Sequence, residues 1–165
     1  MTRVRAVVAL GGNIDGPVEH VTRAFGEIAR LPDTTLLSRS SLYRTAPVGY
    51  ADQPAFINAC ALVETGLEPR PLLEALLAIE RAHGRERDIP NGPRTLDLDI
   101  VLFGERSVCE EGLHIPHPRA LERAFVLEPL LEVWPDAVLP GRGPAAAFRA
   151  AVAGQGIERL EEARA

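Results

Sequence analysis

The chain has 165 residues, of which 46% are hydrophobic and 25% are charged, and its formal net charge at pH 7 is −5. These values are typical of one soluble globular domain, and the negative charge argues against a general nucleic-acid binder. No apolar run approaches the roughly 20 residues needed to cross a bilayer, and no signal peptide is recognisable, so no membrane contact is predicted.

Hydrophobic periodicity and turn residues predict four strands and two helices in the order βαββαβ. Two helices on one face of an antiparallel sheet bury this pattern, which predicts an α+β fold with ferredoxin-like topology. Proline stands in the first turn of each predicted helix, where it is favoured. The predicted strands are 4–10, 34–45, 55–65 and 96–103, and the helices begin at Pro17 and Pro69 and end at Pro32 and Gly84.

A C-terminal extension of short pieces follows the fourth strand. Residues 113–115 are predicted to be extended, 121–133 partly helical and 144–153 a helix. No repeat, low-complexity block or long linker divides the chain, so residues 1–165 are interpreted as a single domain. Cys60 and Cys109 form no CxxC pair, which predicts a reducing, cytoplasmic location without disulfides.

Two carboxylates interrupt the fourth predicted strand, which reads LDLDIVLF. Side chains alternate along a strand, so Asp97 and Asp99 share one face and Leu98 and Ile100 share the other. Two ionised carboxylates at this separation need a cation between them, and oxygen ligands of this kind suit Mg²⁺ with substrate phosphates. A solvent-facing strand edge, or pairing with Arg94, is the alternative interpretation.

Every basic residue of the chain is an arginine, because the sequence contains no lysine. An anion must therefore be bound by arginine, histidine, backbone N–H groups or metal. Three arginines, Arg85, Arg87 and Arg94, lie in the polar loop that leads into the carboxylate strand. Cations beside a carboxylate pair are what a metal–polyphosphate requires, although a solvated loop paired with Glu86 and Asp88 remains open.

Other polar residues suggest contacts to the remainder of a substrate. His117 lies between two prolines, so helical metal-ligand spacing does not apply, and phosphate binding or a structural role is favoured over zinc. Phe56 and Asn58 share one strand face, where a ring and an amide suit a heterocycle; a strand-end asparagine bonded to backbone is equally consistent. A ferredoxin-like domain also occurs in RNA-binding and ligand-sensing modules, although 5% aromatic content disfavours the former.

Three segments together resemble one enzyme family. SSLYRTAPVG…DQPAFINA, GPRTLDLDIVLFG and IPHPRALERAFVLEPL, in this order, are similar to the 6-hydroxymethyl-7,8-dihydropterin pyrophosphokinases of folate biosynthesis. The resemblance implies transfer of pyrophosphate from MgATP to the pterin hydroxymethyl group, with release of AMP. It also implies two Mg²⁺ ions, a monomer, and no partner other than these small molecules.

The resemblance further implies roles for individual residues. Asp97 and Asp99 would hold the metal ions, and together with Arg85, Arg87 and Arg94 they form the implied catalytic set. The implied pterin contacts are Thr45, Ala46, Val48, Phe56, Asn58 and Phe125. The implied ATP contacts are Leu73, Leu77, Glu80, Arg85, Arg94, Ile100, His114, His117 and Arg123.

Overall fold

The computed structural model describes residues 3–46, 54–84 and 95–160. Within these ranges, the predicted βαββαβ order is confirmed. The elements are β1 (Val4–Gly12), α1 (Pro17–Ala29), β2 (Thr34–Arg39), β3 (Tyr43–Thr45), β4 (Phe56–Thr65), α2 (Pro69–Ala82) and β5 (Asp97–Phe103).

All strands of the main sheet are antiparallel to their neighbours, in the order β10-β3-β4-β1-β5, where β10 is Ile157–Arg159. β2 pairs with the end of β4 near Thr65, and β3 pairs with its beginning near Phe56. The central strands β4 and β1 are therefore covered on both edges, and β5 lies at the edge of the sheet. This arrangement is the predicted ferredoxin-like fold, with β10 added.

The predicted strand 34–45 is in fact two strands. The break falls at Ser41, whose N–H donates to the Glu132 carboxylate, with 3.0 Å to each oxygen. Ser40 still donates its backbone N–H to Cys60 O of β4 at 2.9 Å, but the Cys60 N–H goes to the Ser40 hydroxyl, also at 2.9 Å. Side-chain acceptors therefore take the N–H groups of Ser41 and Cys60, which the alternation of residues alone does not reveal.

The C-terminal extension adds a third helix, α3 (Ala124–Val133), after a 3₁₀ turn at Ala120–Glu122, as predicted for 121–133. The hairpin of β6 (Val108–Glu110) and β7 (Leu113–Ile115) confirms the extended segment at 113–115. The predicted helix 144–153 is wrong, since short 3₁₀ turns occupy Ala145–Phe148 and Ala150–Val152. Only Ala145 and Val152 of this segment are buried. The segment therefore has no continuous apolar stripe through which a longer helix could pack against the core. A short two-stranded pair, β8 (Val138–Leu139) and β9 (Gly143–Pro144), precedes these turns.

The sheet separates two hydrophobic clusters. Leu72, Leu76 and Phe25 from α1 and α2 pack against one face, and Leu127 and Leu130 from α3 pack against the other. Both faces of β1 and β4 are therefore buried, which explains their nearly continuous apolar sequences. Among the described residues, no helix has the length and apolar character needed to cross a bilayer.

Candidate active site

A cavity opens on the α3 side of the sheet, beside the first turn of that helix. Its volume is about 790 Å³, counting the open solvent at its mouth. Three strands form its floor, because Gly11 of β1 pairs with both Asn58 of β4 and Asp97 of β5. The lining combines apolar, amide, carboxylate and cationic groups: Ala9, Leu10, Gly11, Thr45, Ala46, Phe56, Asn58, Asp97, Asp99, Val101, His117, Arg123, Phe125 and Val126.

The two aspartates of β5 both line this cavity and are half-buried, so the predicted shared face is confirmed. Leu98 and Ile100 project to the other side, into the core beneath α1 and α2. Among the described residues, no group of three or more His, Cys, Asp or Glu side chains is arranged to hold a metal ion. The carboxylate oxygens of Asp97 and Asp99 fit Mg²⁺, which keeps waters and takes substrate phosphates.

The amide of Asn58 is buried at the cavity floor with its orientation fixed. Its Nδ2 donates to the Thr45 hydroxyl at 2.9 Å. Its Oδ1 lies toward Gly11, where an added Cβ would come within 2.8 Å of that oxygen. Glycine at position 11 thus leaves room for a carbonyl acceptor that a larger side chain would displace.

His117 and Arg123 bring positive or proton-donating groups to the cavity. The backbone N–H of His117 donates to Val101 O of β5 at 3.0 Å. The ring Nδ1 of His117 accepts the backbone N–H of Arg119 at 3.2 Å. The neutral imidazole therefore carries its proton on Nε2, from which it can donate to an anion. Burial lowers the pKa of His117, and the Arg123 guanidinium lowers it further, while the Asp97 carboxylate opposes both.

Two phenylalanines supply flat apolar surface to the same cavity. Phe56 begins β4, and Phe125 lies in the first turn of α3. The Arg123 guanidinium carbon is 5.4 Å from the centre of the Phe125 ring, within cation–π distance. The site can therefore accept a flat heterocycle next to an anion.

The residues predicted to line the nucleotide pocket lie elsewhere around β5. Glu80 is 2% exposed, and its Oε2 accepts the Leu98 N–H at 2.7 Å. Ile100 is buried, and the half-buried Leu73 packs against the same core; Leu77 is half-buried on α2. His114 is exposed on β7, with its Nδ1 3.5 Å from Cys109 Sγ. None of these five lines the cavity described above.

Four predicted site residues, Val48, Arg85, Arg87 and Arg94, lie outside the described residues. Sequence reasoning missed others that the cavity contains, including Ala9, Gly11, Val101 and Val126. Alternation from Asp97 and Asp99 would have found Val101, and the glycine pair at the end of β1 marked Gly11. Ala9 and Val126 carry no such signal, because only the packing of β1 and α3 brings them here.

A ferredoxin-like sheet with a carboxylate pair, cationic groups and aromatic surface in one cavity is typical of a metal-dependent transferase acting on an anionic nucleotide. The family model of 7,8-dihydro-6-hydroxymethylpterin-pyrophosphokinase matches residues 7–135. The 2-amino-4-hydroxy-6-hydroxymethyldihydropteridine pyrophosphokinase of Pseudomonas aeruginosa is 47% identical over 156 residues, 94% of this chain and 96% of that protein. The enzyme of the same name from Haemophilus influenzae is 44% identical over 137 residues, which cover 83% and 86% of the two chains.

Solved structures show the same fold. The crystal structure of wild-type HPPK-DHPS from Plasmodium falciparum with pteroate superposes with a TM-score of 0.72 at 13% identity. The match covers 92% of this chain and 43% of that one. The chain belongs to the 7,8-dihydro-6-hydroxymethylpterin-pyrophosphokinase family. It is an enzyme, a diphosphokinase, as the sequence predicted.

Proposed function

We propose that the cavity beside β5 is where this chain carries out the reaction of its family, with the residue roles given below. The chain transfers pyrophosphate from ATP to the hydroxymethyl group of 6-hydroxymethyl-7,8-dihydropterin in folate biosynthesis. The observation that carries the assignment of the site is the meeting of Asp97 and Asp99 of β5 with Asn58 of β4 in one cavity floor, on the two strands that flank β1.

Asp97 and Asp99 would hold Mg²⁺, with two ions expected. Their carboxylates supply hard oxygen ligands on a rigid strand, and phosphates and water complete the coordination. When bound, Mg²⁺ neutralises phosphate charge and acidifies a coordinated hydroxyl. The protein contributes the position of the two carboxylates, which β5 and its pairing with β1 fix.

Phe56 and Phe125 would stack on the two faces of the pterin, and Asn58 would read its amide edge. Because Thr45 takes the Nδ2–H of Asn58, the Oδ1 acceptor is the atom turned to the ring N–H groups. Ala46 and Val48 would add backbone contacts from the segment after β3. This arrangement places the hydroxymethyl group near the carboxylates without a residue dedicated to proton abstraction.

The phosphates of ATP would meet Nε2–H of His117 and the guanidinium of Arg123, with Arg85, Arg87 and Arg94 approaching from the preceding segment. Charge-assisted bonds of this kind are about twice as strong as neutral ones. The remainder of the nucleotide would contact residues near the other side of β5: Leu73, Leu77, Glu80, Ile100 and His114.

The chemistry is then positioning combined with charge neutralisation. The hydroxyl oxygen bonds to the β-phosphorus, and the bond from that phosphorus to the α,β-bridging oxygen breaks. AMP leaves with the bridging oxygen, and the hydroxyl proton passes to solvent. Asn58 and the two rings orient the acceptor, whereas His117 and Arg123 hold the donor.

We further propose that residues 1–165 act as one domain, as a cytoplasmic monomer that binds neither nucleic acid nor membrane. The continuous sheet, in which β10 pairs with β3, supports a single unit. The net charge of −5 disfavours a nucleic-acid partner.

The direct test incubates the purified chain with ATP, MgCl₂ and hydroxymethyl-dihydropterin and separates the nucleotides. AMP is expected, in amounts equal to the pterin consumed and only when Mg²⁺ is present. Formation of ADP would contradict pyrophosphoryl transfer and would instead indicate transfer of a single phosphoryl group.

A further inference from the structure

A chain of polar contacts joins α1 to the end of α2, on the opposite side of the sheet from the cavity. Nδ1 of His20 on α1 lies 2.6 Å from Nδ1 of His83, the residue that caps α2. Nε2 of His83 lies 2.5 Å from Oε1 of Glu27, which follows His20 by about two turns of α1. The His83 side chain is 1% exposed, whereas that of Glu27 is 30% exposed. The pterin, the metal ions and the phosphates contact none of these three residues in the proposed site.

The geometry determines where the protons lie. With Glu27 ionised, neutral His83 donates Nε2–H to the carboxylate, which leaves its Nδ1 as an acceptor. His20 must then donate its Nδ1–H. The 2.6 Å contact between the two Nδ1 atoms therefore has one hydrogen, which His20 supplies.

The same turn of α2 also contacts the metal-binding strand. Glu80 precedes His83 by one turn, and its Oε2 accepts the Leu98 N–H at 2.7 Å. Leu98 lies between Asp97 and Asp99, at the edge of the sheet. The backbone N–H of His83 donates to the carbonyl oxygens of Ile79 and Glu80, both at 3.1 Å. The last turn of α2 thus connects α1, through His83, to the backbone that carries both aspartates.

We propose that His83 is a positioning residue of this enzyme. Held by Glu27 and His20, it fixes the turn from which Glu80 anchors the strand of the two metal-binding aspartates. The inference rests on the proposed function of that strand. It concerns placement alone, since His83 touches no substrate.

The test measures kcat/KM for MgATP and the Kd of the pterin in the full chain. His83→Leu is expected to lower kcat/KM for MgATP by about 10- to 100-fold, as loss of residues behind metal ligands commonly does. Pterin affinity, measured without nucleotide, is expected to remain within about twofold, since Asn58 and Phe56 belong to β4. His83→Gln, which keeps a donor and an acceptor, is expected to recover part of the loss. Equal losses for both substrates, or kinetics like those of the wild type, would overturn the inference.

Imidazole ¹⁵N spectra of the wild type provide a second readout that does not depend on activity. His83 is expected to be protonated at Nε2 and His20 at Nδ1, and the opposite tautomers would overturn the inference. A wild type that makes no AMP would contradict the proposed function instead.

Discussion

The two ends of the sheet face that meets α3 differ in what they do. At one end, Cys60 and Leu62 of β4 are buried against Leu127 and Leu130 of α3. At the other end, Asn58 of the same strand lines the cavity together with the two aspartates of β5. Both ends follow the same alternation of side chains. The helix covers one end, and its first turn forms a wall of the cavity at the other.

One strand, β4, therefore contributes to the cavity at Asn58 and to the hydrophobic core at Cys60, within three residues. The apolar end supplies stability through buried area, and the polar end keeps charged and amide groups at positions that the core makes rigid. Substitutions at the two ends are therefore expected to separate stability from activity.

The largest effect is expected from removing one carboxylate at the polar end. Asp97→Asn or Asp99→Asn should lower kcat by about 10²- to 10³-fold or more, because a neutral amide is a poor Mg²⁺ ligand and stabilises less transition-state charge. The melting temperature should change little. Steady-state kinetics measures kcat and thermal unfolding measures the melting temperature, with the exposed Asp136→Asn as control. Near-normal turnover in either variant would contradict the assignment of these aspartates as metal ligands.

Truncation at the apolar end should have the opposite signature. Leu127→Ala, at a fully buried position, should lower the free energy of unfolding by about 2–5 kcal/mol through lost transfer energy and a cavity. The kcat of the folded fraction should stay within a few-fold of wild type. Denaturant unfolding measures the free energy of unfolding, and activity per folded molecule measures kcat. Leu37→Ala is the matched control, because Leu37 is 41% exposed. A large kcat loss at unchanged stability would contradict the division of the face.

Phe125 lies between these regions, on α3 but at the cavity. Phe125→Ala should weaken pterin binding by about 1–3 kcal/mol, the usual contribution of stacking on a base, and weaken ATP binding less. Phe148→Ala is a close control, because Arg142 lies over that ring at the same 5.4 Å as Arg123 over Phe125, away from the cavity. Titration calorimetry measures the binding free energy of the pterin and of ATP in each variant. Equal losses of binding free energy for both ligands would contradict the assignment of Phe125 to the pterin site.

A carboxylate outside the cavity should affect only stability, and by the smallest amount. Glu132 accepts from Tyr43 OH at 2.7 Å and from the Ser41 hydroxyl at 2.9 Å. Burial alone would raise the pKa of Glu132, but these bonds and the Ser41 N–H hold it below its usual value. Glu132→Gln should therefore lower the free energy of unfolding at pH 7 by about 0.5–1 kcal/mol, because solvent reaches this carboxylate and the amide keeps one acceptor.

The pH dependence of that effect follows from the lowered pKa. The stabilisation is present above the pKa of the unfolded carboxyl and is lost as the pH falls through the folded value, so wild type and variant should converge in acid. Unfolding curves between pH 7 and pH 2 measure this convergence, with the exposed Glu105→Gln as control. A difference that stays constant over the whole range would mean that Glu132 acts through packing rather than charge.

Much of the fold was predictable because its signals are local. Alternation placed Asp97 and Asp99 on one face, and the first-turn prolines located α1 and α2. The break between β2 and β3 was not predictable from local signals, because it depends on Glu132, which is about ninety residues distant in the sequence. The predicted helix at 144–153 failed for a related reason: alanine favours a helix locally, but tertiary packing provides no surface for one.

The site divides in the same way. Residue types and spacing indicated the carboxylates, Phe56, Asn58 and His117, since each breaks a local pattern. The orientation of the Asn58 amide and the space above Gly11 depend on the contact between β1, β3 and β4, and so become visible only in three dimensions.

The fate of the β-phosphorus of ATP tests the central claim most directly. The wild-type chain is given ATP labelled with ³²P at the β-position, Mg²⁺ and hydroxymethyl-dihydropterin, and the products are separated. The account predicts that all transferred label leaves with the pterin and that the AMP formed is unlabelled. Label retained in the nucleotide product, as ADP, would contradict it.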